Sequence, residues 1–319
     1  MTGEAQPPAP SLSDLVTQDA ILDTDIGTDI DDAYALLLAL ASPELNLRGV
    51  TLVHADVATR AQIAVKLLKL AGRSDIPVLL GECIPMNDNR PLCWGGHEGR
   101  GLDFSDVEPE VASLGDRETA VEFIARTVSE SPGEVVLIPI GPLTNVGIAI
   151  RDYPTEMSRL KGIVCMGSTF QGFGAENAGI EHNIKLDPEA AKIVLGSGIP
   201  ILLVGLNVTL QTSLTEARVH DLAEKGTPLA EYIAHMTRDW FEVVGRTTTC
   251  MHDPLAVAVS YQPDLVETVH ARAEVDPETA GSITYSEAGT DSPIRICSRL
   301  DVDAFHDLFY SRIVSRAGA

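Results

Sequence analysis

Short apolar runs rich in β-branched residues recur along the chain, and most are followed by a stretch whose apolar positions fall three and four residues apart. A brief apolar run marks a buried strand, whereas the i, i+3, i+4, i+7 spacing marks a helix with one face turned inward. Strands are predicted on this basis over residues 20–22, 49–54, 77–80, 135–140, 163–166 and 200–205. Helices are predicted between them over 31–41, 58–71, 117–129, 144–151 and 188–195. In the first helix Ala33, Leu36, Leu37 and Leu40 share the face that meets the sheet. Helices dominate 214–259; strands follow over 265–272, 282–285 and 294–297, and a closing helix over 302–314. Such alternation is the signature of βαβ units. The predicted fold class is therefore α/β, a mixed, mainly parallel central sheet flanked by helices around a Rossmann-like core.

No repeat and no long linker interrupts this pattern, so residues 20–319 read as one domain. Residues 1–19 carry Pro7, Pro8 and Pro10 among polar and acidic neighbours, without a basic start or apolar core. They read as a disordered tail and not as a signal peptide.

Charge narrows the partners. With 23 basic against 46 acidic residues the net charge is −23, which disfavours nucleic acid and anionic membrane surfaces. No apolar run reaches the roughly 18 residues that a membrane helix needs. The five cysteines (Cys83, Cys93, Cys165, Cys250 and Cys297) are scattered and lack a metal-ligand spacing. A reducing, cytoplasmic setting is expected.

The densest chemistry follows the first predicted strand. Five aspartates fall within Asp23-Thr24-Asp25-Ile26-Gly27-Thr28-Asp29-Ile30-Asp31-Asp32, between two apolar segments. Carboxylates packed together repel one another and raise one another's pKa unless a cation sits among them. All-oxygen donors select calcium or magnesium. An EF-hand loop is excluded, because its fifth and twelfth positions, counted from Asp23, hold Gly27 and Tyr34. Two rivals stay open: an aspartate-nucleophile, magnesium-dependent phosphatase loop built on Asp23-Thr24-Asp25, and plain helix-start acids at Asp31 and Asp32. The phosphatase needs a cation for its phosphate, and Lys161, Lys185 and Lys192 are the candidates.

Ligands of open parallel sheets bind beyond the carboxyl ends of the strands. Several polar clusters fall at that edge: Asp25 to Asp32, His54-Ala55-Asp56, Gly141-Pro142-Leu143-Thr144-Asn145 and Gly167-Ser168-Thr169. Glu181-His182-Asn183 and His252-Asp253 lie farther along the chain. Asp187 before Pro188 reads as a helix cap, and Thr144 and Asn145 read as helix-start residues. His54 reads as structural. Trp94 can stack on a base or cover the core, and Tyr232, Trp240 and Phe241 are candidates to wall a base pocket.

Four motifs in order resemble the nucleoside hydrolase family of the inosine-uridine-preferring type, over residues 20 to 315. They are Asp23-Thr24-Asp25-Ile26-Gly27 with Asp31-Asp32-Ala33; Pro139-Ile140-Gly141-Pro142-Leu143-Thr144-Asn145; Glu181-His182-Asn183 with Asp187-Pro188-Glu189-Ala190-Ala191; and His252-Asp253. The resemblance implies a nucleoside hydrolase-like fold and calcium-dependent hydrolysis of the N-glycosidic bond of purine or pyrimidine ribonucleosides, giving ribose and free base. It implies Asp25 as calcium ligand and general base, with Asp32, Asp253 and the Ile140 carbonyl completing the metal site. Asp31, Glu181 and Asn183 would grip ribose hydroxyls, joined by Asp56 and Asn177, and His252 would assist departure of the base. A dimer or tetramer is implied as well. A non-catalytic, metal-stabilised nucleoside-binding protein is the further alternative. The chain departs from the family pattern in two places: Asp29-Ile30 is an insertion without a counterpart, and Ala55-Asp56 replaces a common Gly-Asn.

Overall fold

A computed structural model describes residues 17–173, 180–279 and 281–318; of the expected tail at 1–19, residues 1–16 lie outside them, while Gln18 and Asp19 belong to the first strand. The first half alternates as predicted. Strand β1 (Gln18–Thr24) leads into α1 (Asp31–Ala41), β2 (Leu45–Leu52), α2 (Val57–Leu70) and the two-residue β3 (Val78–Leu79). Then come α3 (Glu108–Ala112), α4 (Ala120–Glu130), β4 (Val135–Pro139), α5 (Thr144–Asp152), α6 (Pro154–Met157) and β5 (Gly162–Met166). The chain continues through α7 (His182–Leu186), α8 (Pro188–Leu195), β6 (Ile201–Val204), α9 (Leu206–Thr209), β7 (Leu214–Thr215), α10 (Glu216–Ala223) and α11 (Pro228–Val244). It closes with β8 (Thr248–Thr249), α12 (His252–Tyr261), β9 (Val266–Asp276), β10 (Ser282–Glu287), β11 (Ile294–Leu300) and α13 (Val302–Ala317).

Nine strands form one sheet in the order β10-β9-β11-β6-β5-β4-β1-β2-β3. Every pairing from β11 to β3 is parallel, and β9 runs antiparallel to both β10 and β11. Alternate residues of each strand serve opposite faces, so Ala20, Leu22, Val136 and Ile138 join one apolar core while Ile21, Val135 and Leu137 join the other. The chain winds outward from β1 to β3 and returns to the far side of β1 with β4. That reversal opens a crevice between the carboxyl ends of β1 and β4, the usual ligand position in such sheets.

Three predicted elements differ in instructive ways. Strand β1 begins at Gln18 because its polar start is satisfied across the sheet, where Asp19 accepts from Asn46 Nδ2 at 2.6 Å and Arg48 Nη1 at 2.5 Å. Strand β2 stops at Leu52, since His54 and Ala55 take positive φ angles of 72° and 58° and turn the chain away. Helix α1 presents no solvent face over its first nine residues, Asp31 to Ala39. It packs between α12, α13 and the sheet, and a helix apolar nearly all round is a buried one.

Candidate active site

The acidic turn leaves β1 at the crevice. Gly27 takes φ 113°, and a Cβ there would meet Ile63 Cδ1 at 2.6 Å, so only glycine lets the chain pass beneath α2. Thr24 ties the turn to the helix it feeds, donating from Oγ1 to Asp32 Oδ1 at 2.5 Å while accepting from the Ile26 amide at 3.1 Å. Helices α1 and α12 then bring their N-termini together, and the Asp253 amide donates to Asp31 Oδ2 at 3.2 Å. Two helix dipoles therefore point their positive ends at one group of acids.

Asp31, Asp32 and Asp253 are all buried, and each offers a carboxylate oxygen within 4.8 Å of the others. Burial raises these acids and their neighbours raise them further. Asp31 is pushed up to about 8, first by burial and then by Asp29. Asp32 and Asp253 stand well above the usual carboxylate range through burial and then through the acids around them. Three buried acids that resist ionising together are a donor set for a cation, whose charge removes the penalty. Their hard oxygens suit calcium or magnesium.

The triad opens into a cavity of about 310 Å³, also lined by Asp25, Thr28, Asp29, Ile140, Met166, Glu181, His182, Asn183, Leu206 and His252. Beneath it Asp23 is wholly buried and pushed up to about 7, chiefly by burial. Its Oδ1 accepts from Asn145 Nδ2 at 2.7 Å and Thr51 Oγ1 at 2.6 Å, and its Oδ2 has no partner. Asn145 also donates to the Leu52 carbonyl and accepts from the Glu82 amide, both at 2.9 Å. Neither Asn145 nor Thr144 caps α5, as their position suggested. Asn145 instead binds β1, β2 and the chain beyond β3 together, and Thr144 donates to Asp187.

The geometry now meets its relatives. The sequence profile of the inosine-uridine preferring nucleoside hydrolases matches residues 20–307. The chain belongs to that family. It is 34% identical to the pyrimidine-specific ribonucleoside hydrolase RihA of Salmonella arizonae, over 92% of this chain and 97% of that protein. It is also 34% identical to uridine nucleosidase 1 of Arabidopsis thaliana, over 82% of this chain and 78% of that one. The solved structure of a purine-preferring ribonucleoside hydrolase from Gardnerella vaginalis superposes with a TM-score of 0.80 at 30% identity, covering 94% and 99% of the two chains.

In this nucleoside hydrolase the expected site residues mostly converge. Asp25, Asp31, Asp32, Ile140, Glu181, Asn183, His252 and Asp253 all line the acid cavity. Asp31, expected on the sugar, stands in the close acidic triad, whereas Asp25 lines the same cavity outside it. Glu181 caps α7, accepting from the amides of Asn183 at 2.8 Å, Ile184 at 3.0 Å and Ser168 at 3.2 Å. Asn183 donates from Nδ2 to the Ile140 carbonyl at 2.8 Å, steadying the carbonyl expected to face the metal. His252 Nδ1 lies 2.7 Å from Thr209 Oγ1, and burial lowers the imidazole to about 4.

Asp56 is absent from the lining, and its carboxylate caps α2, accepting from the amides of Ala58 and Thr59 at 3.1 Å and from Thr59 Oγ1 at 2.7 Å. Asn177 lies outside the described residues. Lys161, Lys185 and Lys192 do not line the acid cavity, which leaves the phosphatase alternative without its phosphate-binding cation. Sequence reasoning missed His182, which lines the cavity from the middle of Glu181-His182-Asn183; its place inside that motif was the available signal.

A second cavity of about 380 Å³ adjoins the first, and Asp29 lines both. Its walls include Ile30, Ile63, His97, Arg100, Met236 and Trp240. Of the expected aromatic wall only Trp240 takes part. Trp94 lies instead over the Arg60 guanidinium, 5.1 Å from carbon to ring centre.

Proposed function

We propose that the protein is a calcium-dependent hydrolase of the N-glycosidic bond of ribonucleosides, with residues 20–319 acting as one catalytic unit. The observation that carries this reading is the buried Asp31, Asp32 and Asp253 triad at the β1 and β4 crevice, with His252 beside it. Asp32 and Asp253 of that triad would hold the ion together with Asp25 and the Ile140 carbonyl from the same cavity wall, while Asp31, the third acid, sits beside it and faces the sugar. When bound, calcium would supply a fixed positive charge and an oxygen-binding template for water and vicinal hydroxyls.

The remaining chemistry belongs to the chain. C1′–N cleavage passes through an oxocarbenium-like state, which needs an activated water on one face and negative field near the ring. Asp25 takes the proton of the attacking water. Asp31 Oδ2 is already engaged by the Asp253 amide, which leaves Oδ1 for a ribose hydroxyl. Glu181 and Asn183 hold the rest of the sugar.

Burial pushes the His252 imidazole down to about 4, which favours a neutral ring at pH 7. We assign the Thr209 hydroxyl, 2.7 Å from Nδ1, as the donor of that bond, which puts the remaining imidazole proton on Nε2. That N–H is the group offered to the departing base.

Ribose release from uridine, cytidine, inosine, adenosine and guanosine, before and after chelation, tests the reading. Likeness to pyrimidine-specific and uridine-cleaving relatives puts uridine and cytidine first. The expected result is reducing sugar that chelation abolishes and calcium restores. Turnover undiminished by chelation would remove the ion from the mechanism. Calcium binding without turnover on any nucleoside would favour a binding protein.

A further inference from the structure

Arg60, on α2, is fully buried, yet its hydrogen-bond partners are uncharged oxygens. Its Nε donates to the His54 carbonyl at 2.8 Å, and Nη2 donates to Thr28 Oγ1 at 3.1 Å. Nη1 donates to the Ile26 carbonyl at 3.0 Å and also to the Asp25 carbonyl. Trp94 covers the guanidinium plane. Three of the four acceptors thus belong to the stretch from Asp25 to Thr28.

The other side of that stretch is fastened too. The Thr28 carbonyl faces His97 Nε2 at 2.8 Å and accepts from Trp240 Nε1 at 3.1 Å. The inserted Asp29-Ile30 leaves from this fixed point and enters α1, where Asp31 and Asp32 begin. A desolvated guanidinium is costly, and a lysine cannot reproduce it, because an ammonium is a point charge on a flexible stem and not a planar fork.

We propose that Arg60 is the positioning residue of the acidic turn: its fork sets the turn from Asp25 to Thr28 so that Asp25 and the acids beyond it converge on the cation. This rests on the calcium reading above. Charge and geometry predict opposite signs, which makes the idea testable. If Arg60 were only a positive charge near the site, removing it would tighten cation binding. If it is a clamp, removing it weakens binding.

The experiment takes full-length Arg60→Gln, Arg60→Lys and the milder Thr28→Val. It measures calcium affinity by isothermal titration calorimetry, kcat and KM for the best nucleoside substrate, and the melting temperature. Wild-type calcium binding is measured first; its absence overturns the parent reading and this one with it. With wild-type binding intact, both Arg60 variants should bind calcium about 10- to 100-fold more weakly and lose kcat, the range seen when groups supporting metal ligands are removed. Thr28→Val should weaken binding by a smaller factor. Unchanged or tighter binding by Arg60→Gln, with only the melting temperature lowered, would overturn the clamp, as would full rescue by Arg60→Lys. Should both Arg60 variants fail to fold, Thr28→Val decides: unaltered affinity and kcat overturn the proposal.

Discussion

Replacing Asn145 with alanine should cost far more stability than its small side chain suggests. The amide makes three hydrogen bonds: two buried ones, to the Asp23 carboxylate at 2.7 Å and the Leu52 carbonyl at 2.9 Å, and a partly buried one from the Glu82 amide at 2.9 Å. A bond to a carboxylate contributes about 2 kcal/mol, and each of the others contributes about 1 kcal/mol. Asp23 would also keep a single partner, since its Oδ2 already has none. The expected loss is about 4 kcal/mol. At roughly 2.1 cal/mol/K of unfolding entropy per residue, a chain of 319 residues should melt about 6 °C lower. Differential scanning calorimetry with a matched urea titration measures it. Asn145→Asp should be no better, because it sets a second acid against Asp23. A midpoint shift below about 2 °C for Asn145→Ala would refute the reasoning. It would mean that water replaces the amide between the fully buried Asp23 and Asn145 positions.

Other expectations concern the chemistry. Asp253→Ala and Asp32→Ala should each lose calcium and turnover together; intact calcium binding in either would break the proposed coordination. His252→Ala should slow nucleosides with poor leaving groups much more than activated aryl ribosides, and equal losses on both would remove it as the donor to the base. Thr209→Val should reproduce part of that selective loss by freeing the imidazole tautomer. Far from the site, Arg90 donates two bonds to Glu189 at 2.6 Å and holds its carboxyl below the ordinary value of 4.5. A depressed value adds stability above the unfolded pKa and loses it as pH falls through the folded one. Glu189→Gln should therefore cost up to about 1 kcal/mol at pH 7, with the gap to wild type closing in acid below pH 4.5; a gap that persists there would contradict the ion pair.

Much of this was legible in the sequence because apolar spacing and the sheet obey the same periods. Helices α1 and α8 begin and end where their patterns do. Asp187 and Pro188 start α8 as their order predicts, with the Asp187 carboxylate accepting from the Ala190 amide at 3.0 Å. Acids were harder to sort. A carboxylate that caps a helix and one that faces a ligand look alike in a string of letters, and Asp56 proved to be the former. Glu181 is both, lining the cavity while it caps α7, a helix of five residues too short to show a period. Arg60 gave no signal, since three of its four partners lie 32 to 35 residues earlier on the turn and all but one of the four are backbone oxygens.

The acids and the cavity walls stand on different kinds of scaffold. Asp31 and Asp32 open α1, whose first nine residues are buried and which packs against α12, α13 and the sheet. His97, Arg100 and Leu102, by contrast, reach the second cavity from a loop between β3 and α3. His97 is tied to the Thr28 carbonyl of the acidic turn, whereas substitutions at Arg100 and Leu102 should disturb little else. Over long divergence the acids on the buried helix should therefore change less than the adjoining wall. A library at Arg100 and Leu102, which leaves His97 and its contact with the Thr28 carbonyl alone, would test whether this wall sets the choice of base.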